Sequence, residues 1–438
     1  MIAALSLAVA GAMAQSSVPP ELGAFLRRPD PTFSYRVLET QGNRIEIRLA
    51  SQTWQGILWE HSVALIRPSS LRAEGIAVLY ITGDRRPADI ATASLLAESA
   101  RLPVAVLFDI PNQPIWGMRE DDLIAHTFEK FLETRDPSWP LLFPMTKAAL
   151  RAMDAVERHS AETDNPIRRF VVAGASKRGW TTWLVGASGD RRVVGLAPMV
   201  YDNLNIDRQL RHHLVSWGRY SPMIQDYTRR GLQARMETPL GRRLTRMVDP
   251  HSYLDRIRVP VLVVNGANDP YWPTDALSLY VDDLRMPNWS VVVPNAGHEL
   301  GNGRMAFESI RAFAISRAGQ MRMPNVRWDI DWPKNRTAPT LRVQSSGLPV
   351  RAVQFWVAES DSLDFGASRW QAEAQRLLDP AQTRPLDLTL ALDRSLERHT
   401  AVMGEVRYRF EDVEFSLTSP VRVFRSRARS TSAASTGR

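Results

Sequence analysis

The run FVVAGASKRGWTTWLVGA, residues 170–187, is the stretch that decides the fold prediction. Its first four residues are a short apolar run typical of a buried strand, and residues 177–187 have the composition of a helix. Ser176 lies between the two, on the turn Gly174-Ala175-Ser176-Lys177-Arg178-Gly179. Gly174 leaves room for neighbouring backbone, and the helix that follows presents its positive N-terminus to the serine. The stretch therefore predicts a serine nucleophile on a tight strand-to-helix turn.

Two later turns supply the partners that a nucleophilic serine needs. The apolar run at 261–265 is followed by Gly266-Ala267-Asn268-Asp269, and the run at 291–294 is followed by Asn295-Ala296-Gly297-His298. An acid after a late strand and a histidine after the last strand is the chain order of the α/β-hydrolase fold. We therefore expect His298 to accept the proton of Ser176 and Asp269 to orient His298.

Asp202 is the alternative acid, because it follows the strand predicted at 193–199. Asp269 is favoured, since Gly266 and Pro270 fix a tight loop that aims one carboxylate at His298. An aspartate such as Asp202, at the start of a long insertion, commonly caps a helix or forms a turn.

An oxyanion hole is expected from two backbone N–H groups near the serine. One belongs to Lys177, the residue after the nucleophile, and the other to Gly83 or Asp84, in the turn after the strand predicted at 76–81. The Lys177 side chain has two interpretations that the sequence leaves open. Its ammonium either stabilises the developing oxyanion or pairs with a nearby carboxylate.

Buried strands alternate with helix-length segments around these turns, which indicates a parallel sheet with helices on both faces. We predict an α/β-hydrolase domain, a doubly wound and mostly parallel sheet, over residues 20–320. Strands are predicted at 35–38, 44–49, 61–66, 76–81, 104–108, 170–173, 193–199, 261–265 and 291–294, and helices at 89–101, 145–159, 177–187 and 274–284.

Four further segments depart from that rhythm. Residues 111–144 and 202–257 are too long for plain crossovers, and we expect helical, lid-like insertions that wall a pocket. From residue 321 the pattern changes to β alternation, which predicts a β-sandwich-like domain over 321–424. Residues 425–438 are rich in Arg and Ser and are expected to form a disordered basic tail.

Four residues are candidates for the pocket wall: Trp116, Trp180, Asn205 and Trp272. The tryptophans suit stacking on sugar rings or peptide side chains, although core packing is the commoner role. Asn205 is equally consistent with a helix cap or a turn. No metal or cofactor is expected, because the adjacent His212 and His213 make a poor ligand pair and no H-E-x-x-H spacing occurs.

The composition of the 438 residues further narrows the possible classes of protein. With 44% hydrophobic and 23% charged residues the chain has the make-up of a globular protein, and no internal run reaches the ~20 apolar residues of a membrane span. The absence of cysteine excludes a thiol nucleophile and thiolate metal sites. The net charge of +8 comes from arginines spread along the chain, so we expect no nucleic-acid partner.

The N-terminus predicts export. Residues 2–12 form an apolar run that closes on Ala12-Met13-Ala14, a small-x-small cleavage site, so residues 1–14 read as a signal peptide. We expect a mature protein in the periplasm or outside the cell. Nothing in the sequence indicates an oligomeric state.

The run from Gly174 to Leu184 also resembles the most distinctive segment of the PhoPQ-activated pathogenicity-related proteins, an exported group within the α/β-hydrolase superfamily. Other segments agree with the resemblance: Ser51-Gln52-Thr53-Trp54, Pro111-Asn112-Gln113-Pro114, Pro144-Met145-Thr146-Lys147-Ala148, Pro294-Asn295-Ala296-Gly297-His298 and, more weakly, Phe355-Trp356 and Asp364-Phe365. The resemblance implies the fold, secretion and an aspartate at the position of Asp269. It does not imply a substrate.

Two features depart from the expected pattern. Gly83-Asp84 stands where a Gly-Gly oxyanion turn is expected, and the serine turn is G-x-S-x-x-G, with Arg178 two residues after the serine. Glucuronoyl esterases look similar here, with a basic residue straight after the nucleophile.

We expect a secreted serine hydrolase that cleaves an ester or amide in a small-molecule, carbohydrate-ester or peptide substrate. The alternative is a secreted binding or signalling protein with the hydrolase fold and little turnover.

Overall fold

The computed structural model describes residues 18–332, 339–379, 385–392 and 398–426. The predicted signal peptide and all but the first two residues of the predicted tail lie outside these ranges. Both therefore stay predictions.

A twisted central sheet carries the candidate site. Its strands are β1 (Ser34–Gln41), β2 (Arg44–Trp54), β3 (Ile57–Ile66), β4 (Ile76–Ile81), β5 (Val104–Leu107), β6 (Arg169–Ala175), β7 (Val193–Met199), β8 (Val261–Gly266) and β9 (Asn288–Val293). They lie in the order β1-β2-β3-β5-β4-β6-β7-β8-β9, antiparallel as far as β5 and parallel from there to β9. β5 and β8 are buried along their whole length, as expected for parallel strands covered on both faces.

Ten α-helices occur in the described ranges: α1 (Glu21–Arg27), α2 (Pro87–Ala100), α3 (Glu120–Thr134), α4 (Leu142–Ser160), α5 (Lys177–Ala187), α6 (Ile206–Trp217), α7 (Gln225–Thr228), α8 (Leu232–Met236), α9 (Pro239–Val248) and α10 (Arg304–Arg317). Buried residues of α2 and α10 belong to the core on one face of the sheet, and those of α4 and α5 to the core on the other. The chain thus has the doubly wound α/β-hydrolase fold that its sequence predicts. None of the helices in these ranges is long and apolar enough to cross a membrane.

The two predicted insertions are helical. The first insertion, residues 111–144, contains α3, and the second insertion, residues 202–257, contains α6 to α9. α3 packs against α7, α8 and α9, so the insertions contact each other. Both follow strands that end at the edge of the sheet where Ser176 lies, and both contribute to the cavity described below.

The C-terminal part is built from strands: β10 (Asn325–Asp331), β11 (Thr340–Ser346), β12 (Val350–Ser360), β13 (Gln371–Leu377), β14 (Leu386–Ala391), β15 (His399–Phe410), β16 (Val413–Thr418) and β17 (Arg422–Phe424). β16 pairs with β9 at Thr418 and Ser290, so β16, β15, β12 and β13 continue the central sheet. A separate three-stranded sheet, β10-β11-β14, packs on them, with Ser345 Oγ 2.8 Å from Tyr408 Oη. The division into domains at residue 320 stays a prediction.

The prediction of a helix at 274–284 is wrong. Two short 3₁₀ helices, Ala276–Leu279 and Val281–Asp283, occupy the segment, and Tyr280 between them has the extended φ of −142°. The Tyr280 hydroxyl donates a 2.7 Å hydrogen bond to the buried carboxyl of Asp202. This tertiary contact holds Tyr280 out of helical geometry and so overrides the local propensity.

Candidate active site

Ser176 occupies a strained turn between β6 and α5. Its φ of 59° and ψ of −127° are rare for a residue with a side chain, and its N–H donates to Met199 O at the end of β7. A Cβ at Gly174 would lie 2.6 Å from Arg178 O, and a Cβ at Gly179 would lie 2.6 Å from Met199 O. The two glycines therefore let α5 turn sharply and pack on β7. This close packing explains the spacing G-x-S-x-x-G.

The side chains of the three predicted triad residues meet. His298 Nε2 lies 2.9 Å from Ser176 Oγ, and His298 Nδ1 lies 2.8 Å from Asp269 Oδ2. Since a carboxylate only accepts hydrogen bonds, Nδ1 carries the proton and Nε2 is left to accept from the serine hydroxyl. The second oxygen of Asp269 accepts from the N–H of Tyr271 at 2.9 Å, and the Tyr271 ring lies against His298 with centroids 4.3 Å apart. The arrangement fixes both the tautomer and the orientation of the imidazole.

Asp202 does not contact the histidine. It is buried and accepts the hydrogen bond from Tyr280. Burial raises the pKa of Asp202 to about 7, and the nearby charge of Asp269 adds to the rise. The structure thus brings Asp269, and not Asp202, to His298.

The two basic residues after the serine pair with acidic residues of the first insertion. Lys177 Nζ lies 2.8 Å from Glu120 Oε2 and 3.0 Å from Asp121 Oδ2. Arg178 binds both oxygens of Glu120 at 2.8 Å. Burial alone would raise the pKa of Glu120, but the hydrogen bonds and charges of Arg178 and Lys177 outweigh it and lower that pKa to about 2.

This network bears on the open interpretation of Lys177. Burial acts to lower the pKa of Lys177, yet the neighbouring carboxylates of Asp121 and Glu120 raise it above its usual value. The ammonium is therefore a paired cation, as in the second interpretation. Neither Glu120 nor Asp121 was predicted from the sequence to belong to the site. The acidic start of α3 was readable, but it signals a helix N-terminus and not a partner for Lys177.

The expected oxyanion donors lie in suitable elements. Lys177 is the first residue of α5, so its N–H has no acceptor within the helix. Gly83 lies under the Arg178 guanidinium, where a Cβ would be 2.4 Å from Nη2. The Asp84 carboxylate pairs with Arg119 and accepts from Gln113 at 3.1 Å, so it is held by the first insertion. The role of the Gly83 and Asp84 N–H groups stays a prediction.

A cavity of about 70 Å³ lies beside Ser176. Its walls come from both insertions and from the loops after β6, β7 and β8. The apolar and aromatic lining residues are Phe128, Trp180, Tyr201, Ile206, Leu210, Ile224, Tyr227, Leu232, Met236, Tyr271 and Trp272, and the polar ones are Asp121, Ser176, Lys177, Asn203 and Gln233. The cavity lining is thus mostly apolar and aromatic, with an ion pair beside the serine.

Two of the four pocket candidates line this cavity and two do not. Trp180 and Trp272 do, and Trp180 stacks on Tyr201 with ring centroids 4.9 Å apart. Trp116 lies instead in a surface cluster with Trp54 and Trp139, where it is 46% exposed.

Asn205 precedes α6 with a left-handed φ of 63°, and its N–H donates to Asp249, so it forms the turn that its alternative interpretation describes. The asparagine at the cavity is its neighbour Asn203. The tyrosines of the wall, Tyr201, Tyr227 and Tyr271, were missed, because the sequence does not show which residues of the loops and insertions face inward. Within the described ranges, no group of three or more His, Asp or Glu side chains is arranged to hold a metal ion.

Comparisons with known proteins identify the family. The family model described as PhoPQ-activated pathogenicity-related protein matches residues 22–366. Autocrine proliferation repressor protein A of Dictyostelium discoideum is 31% identical over 372 residues, which cover 78% of this chain and 74% of that protein.

Similar solved structures include acetyl xylan esterases from Paenibacillus sp. R4 and Thermoanaerobacterium sp. JW/SL YS485, at 14% and 15% identity. The alignments cover 67% of this chain and 92% of the first esterase, and 69% and 95% for the second, each with a TM-score of 0.48. At these values the likeness carries no activity over to this chain. The match over residues 22–366 and the 31% identical relative show that the chain belongs to the PhoPQ-activated pathogenicity-related protein family.

Proposed function

We propose that this protein is a serine hydrolase that cleaves an ester or an amide through an acyl-enzyme on Ser176. The observation that carries the proposal is the continuous hydrogen-bonded chain from Ser176 Oγ through His298 to Asp269. The strained turn at Ser176 adds support, because backbone strain of this kind is concentrated at functional sites.

The geometry supports the following reaction. His298 Nε2 accepts the proton of Ser176 while Oγ forms a bond to the substrate carbonyl carbon. The resulting oxyanion is stabilised by the N–H of Lys177 and by a second donor from the Gly83-Asp84 turn. His298 then gives its proton to the leaving alcohol or amine as that bond breaks. A water molecule, deprotonated by His298, attacks the acyl carbon; the bond to Ser176 Oγ then breaks, the acid is released, and His298 returns the proton to Oγ.

The ammonium of Lys177 has a different task in this proposal. Because it is paired with Glu120 and Asp121, it joins the nucleophile turn to the first insertion and leaves oxyanion stabilisation to backbone donors. The wall of the site therefore stays attached to the catalytic turn.

The cavity suggests the substrate class. Its volume of about 70 Å³ is several times the 10–15 Å³ that one water occupies, and most of its lining residues are apolar or aromatic. We propose that it accepts a small uncharged group of the substrate, such as a short aliphatic or an aromatic acyl group. A carbohydrate or peptide portion would then lie outside the cavity.

A secreted binding or signalling protein with little turnover remains the second candidate. The observation that favours it is the name of the 31% identical relative, an autocrine proliferation repressor. Export to the periplasm or the extracellular space belongs to both candidates and rests on the predicted signal peptide at 1–14.

Turnover separates the two candidates. We expect the purified protein to hydrolyse members of a panel of p-nitrophenyl esters, glucuronoyl esters and aminoacyl amides, with short and aromatic acyl groups preferred over long chains. Ser176→Ala should reduce that hydrolysis to the rate of buffer alone. Equal hydrolysis by the parent and by Ser176→Ala would refute the proposed function, and a folded parent without turnover on the whole panel would favour the binding protein.

A further inference from the structure

We propose that the connection between β12 and β13, residues 361–370, positions the catalytic acid and base, and that Asn268 and Asn295 are the positioning residues through which it acts. We call this connection the strap. It belongs to the C-terminal strands, whereas Ser176, Asp269 and His298 all lie in the α/β part. The inference rests on the proposed function, because it concerns the rate of the Ser176 reaction.

Asn268 ties the acid loop to the strap. It directly precedes Asp269, and its Nδ2 lies 3.0, 3.2 and 2.8 Å from the carbonyl oxygens of Phe365, Gly366 and Ser368. One side-chain amide thus contacts three backbone acceptors of the strap. The position of the residue next to the catalytic acid is therefore set by the C-terminal strands.

Asn295 ties the histidine loop to the strap in the same way. Its Nδ2 donates to Trp370 O at 2.9 Å, and its Oδ1 accepts from Trp370 N–H at 2.8 Å. This reciprocal pair fixes the side chain in both directions. Asn295 lies three residues before His298 and has a left-handed φ of 55°, a conformation that asparagine tolerates better than most residues.

The two triad loops also contact each other directly. The N–H of Asn268 donates to Ala296 O at 2.9 Å. A Cβ at Gly266 would lie 2.2 Å from Gly297 O, so only glycine allows this approach of one backbone to the other. A displacement of either loop therefore changes the distance between Asp269 and His298.

The strap is itself firmly held. Phe365 and Trp370 are 1% and 2% exposed and belong to the same apolar core as Trp272 of the cavity wall. Ser368 Oγ donates to Glu359 O at 2.9 Å, and Ser360 Oγ donates to Asp364 O at 2.7 Å. The strap is thus a rigid support and is suited to fix hydrogen bonds of 2.8 and 2.9 Å in the triad.

Asn268→Ala and Asn295→Gly test the inference in the full-length protein. Glycine is chosen at residue 295 because it keeps the left-handed φ while removing the amide. The measurement is the rate of covalent labelling by a fluorophosphonate probe as a function of probe concentration. We expect the maximum labelling rate to fall about 10–100-fold, as small misplacements of reacting groups do, while the half-saturating probe concentration stays unchanged.

Asn288→Ala is the matched control. Asn288 starts β9 at the end opposite to the histidine loop, and its Nδ2 also donates to backbone carbonyls, those of Leu284 and Met286. We expect it to lower the melting temperature by as much as the test variants do and to keep the parent labelling rate.

The outcomes separate this inference from the proposed function. A parent that is labelled normally while both test variants are labelled at the parent rate overturns the positioning role alone. An equal loss of rate in Asn288→Ala also overturns it, because the effect is then one of general stability. A folded parent that is not labelled at Ser176 contradicts the proposed function itself, and with it the inference.

Discussion

At the scale of single residues, the site combines a strained turn at Ser176, the proposed nucleophile, with two carboxyl groups in contrasting environments. Asp269 contacts His298 Nδ1 through one carboxylate oxygen and accepts from the N–H of Tyr271 with the other. Asp202 is buried against the hydroxyl of Tyr280 and has a pKa of about 7. These environments support the proposed triad role of Asp269 and a structural role for Asp202.

The two carboxyl groups can be compared by substitution. Asp269→Asn should lower kcat by several orders of magnitude on any ester hydrolysed, because loss of the triad aspartate leaves the histidine in the wrong tautomer, an effect of about 10⁴-fold in a serine protease. Asp202→Asn should lower kcat much less. The check is kcat for variants with matched melting temperatures. The opposite ranking would transfer the acid role to Asp202.

From the raised pKa of Asp202 we also predict that the free energy of unfolding depends on pH. Its folded-state pKa, about 7, lies above the ordinary value of 3.8 for an unperturbed aspartate. Between these values the folded protein binds more protons than the unfolded chain, so this group contributes stability that is full below pH 4 and is lost as the pH rises towards 7. The asparagine side chain in Asp202→Asn does not titrate in this range, so the variant lacks this pH-dependent contribution.

The free energy of unfolding of Asp202→Asn, measured relative to the parent in urea, should therefore rise between pH 4 and pH 7. Each unit of a pKa difference corresponds to about 1.4 kcal/mol, which sets a limit of a few kcal/mol. A flat difference across this range would contradict the assignment of a raised pKa to Asp202.

At the scale of elements, ion pairs join the two insertions over the cavity. Asp122 on α3 lies 2.6 Å from both Arg229 and Arg230, and Glu129 on the same helix pairs with Arg230 and Arg235. Tyr227 of the second insertion donates to Asp121, which also binds Lys177. Ion pairs and hydrogen bonds thus connect the Ser176 turn through α3 to α7, α8 and the turn between them, and α7 and α8 form part of the cavity wall.

Arg230→Ala should loosen the second insertion without touching the triad. Because its side chain contacts two carboxylates and is only 20% exposed, we expect KM to rise several-fold with little change in kcat, and trypsin to cut sooner near residues 219–235. Arg211→Ala, an exposed arginine of the same insertion that contacts a carbonyl of its own helix, is the control. An unchanged KM in Arg230→Ala would contradict the role given to these ion pairs.

Elements with local sequence patterns were predictable, whereas features that depend on contacts between distant residues were not. β6, α5, β8 and β9 carry local apolar patterns and turn residues, so the elements before and after Ser176, Asp269 and His298 were readable. The pairing of Arg178 with Glu120 joins residues 58 positions apart, and the sequence alone does not show that the two residues come into contact. The segment 274–284 was misread as a helix for the same reason, since Asp202, the partner of its Tyr280, is 78 positions away.

At the scale of the whole molecule, the C-terminal strands continue the central sheet and reach back to the site. The β alternation after residue 321 predicted strands, and strands are found. The joining of β16 to β9 through Thr418 and Ser290, and the hydrogen bonds from the strap to Asn268 and Asn295, were not predictable. Asparagine side chains that bind backbone carbonyls leave no pattern in the sequence.

The central claim is that Ser176 is a nucleophile activated by His298. The most direct test is to treat the full-length protein with a fluorophosphonate probe and to locate the adduct by mass spectrometry. We predict a single adduct on Ser176, none in Ser176→Ala, and labelling slowed by about 10⁶-fold in His298→Ala, since serine and histidine of a triad act as a unit. Labelling that persists in Ser176→Ala, or a folded parent that takes up no probe, would contradict the claim.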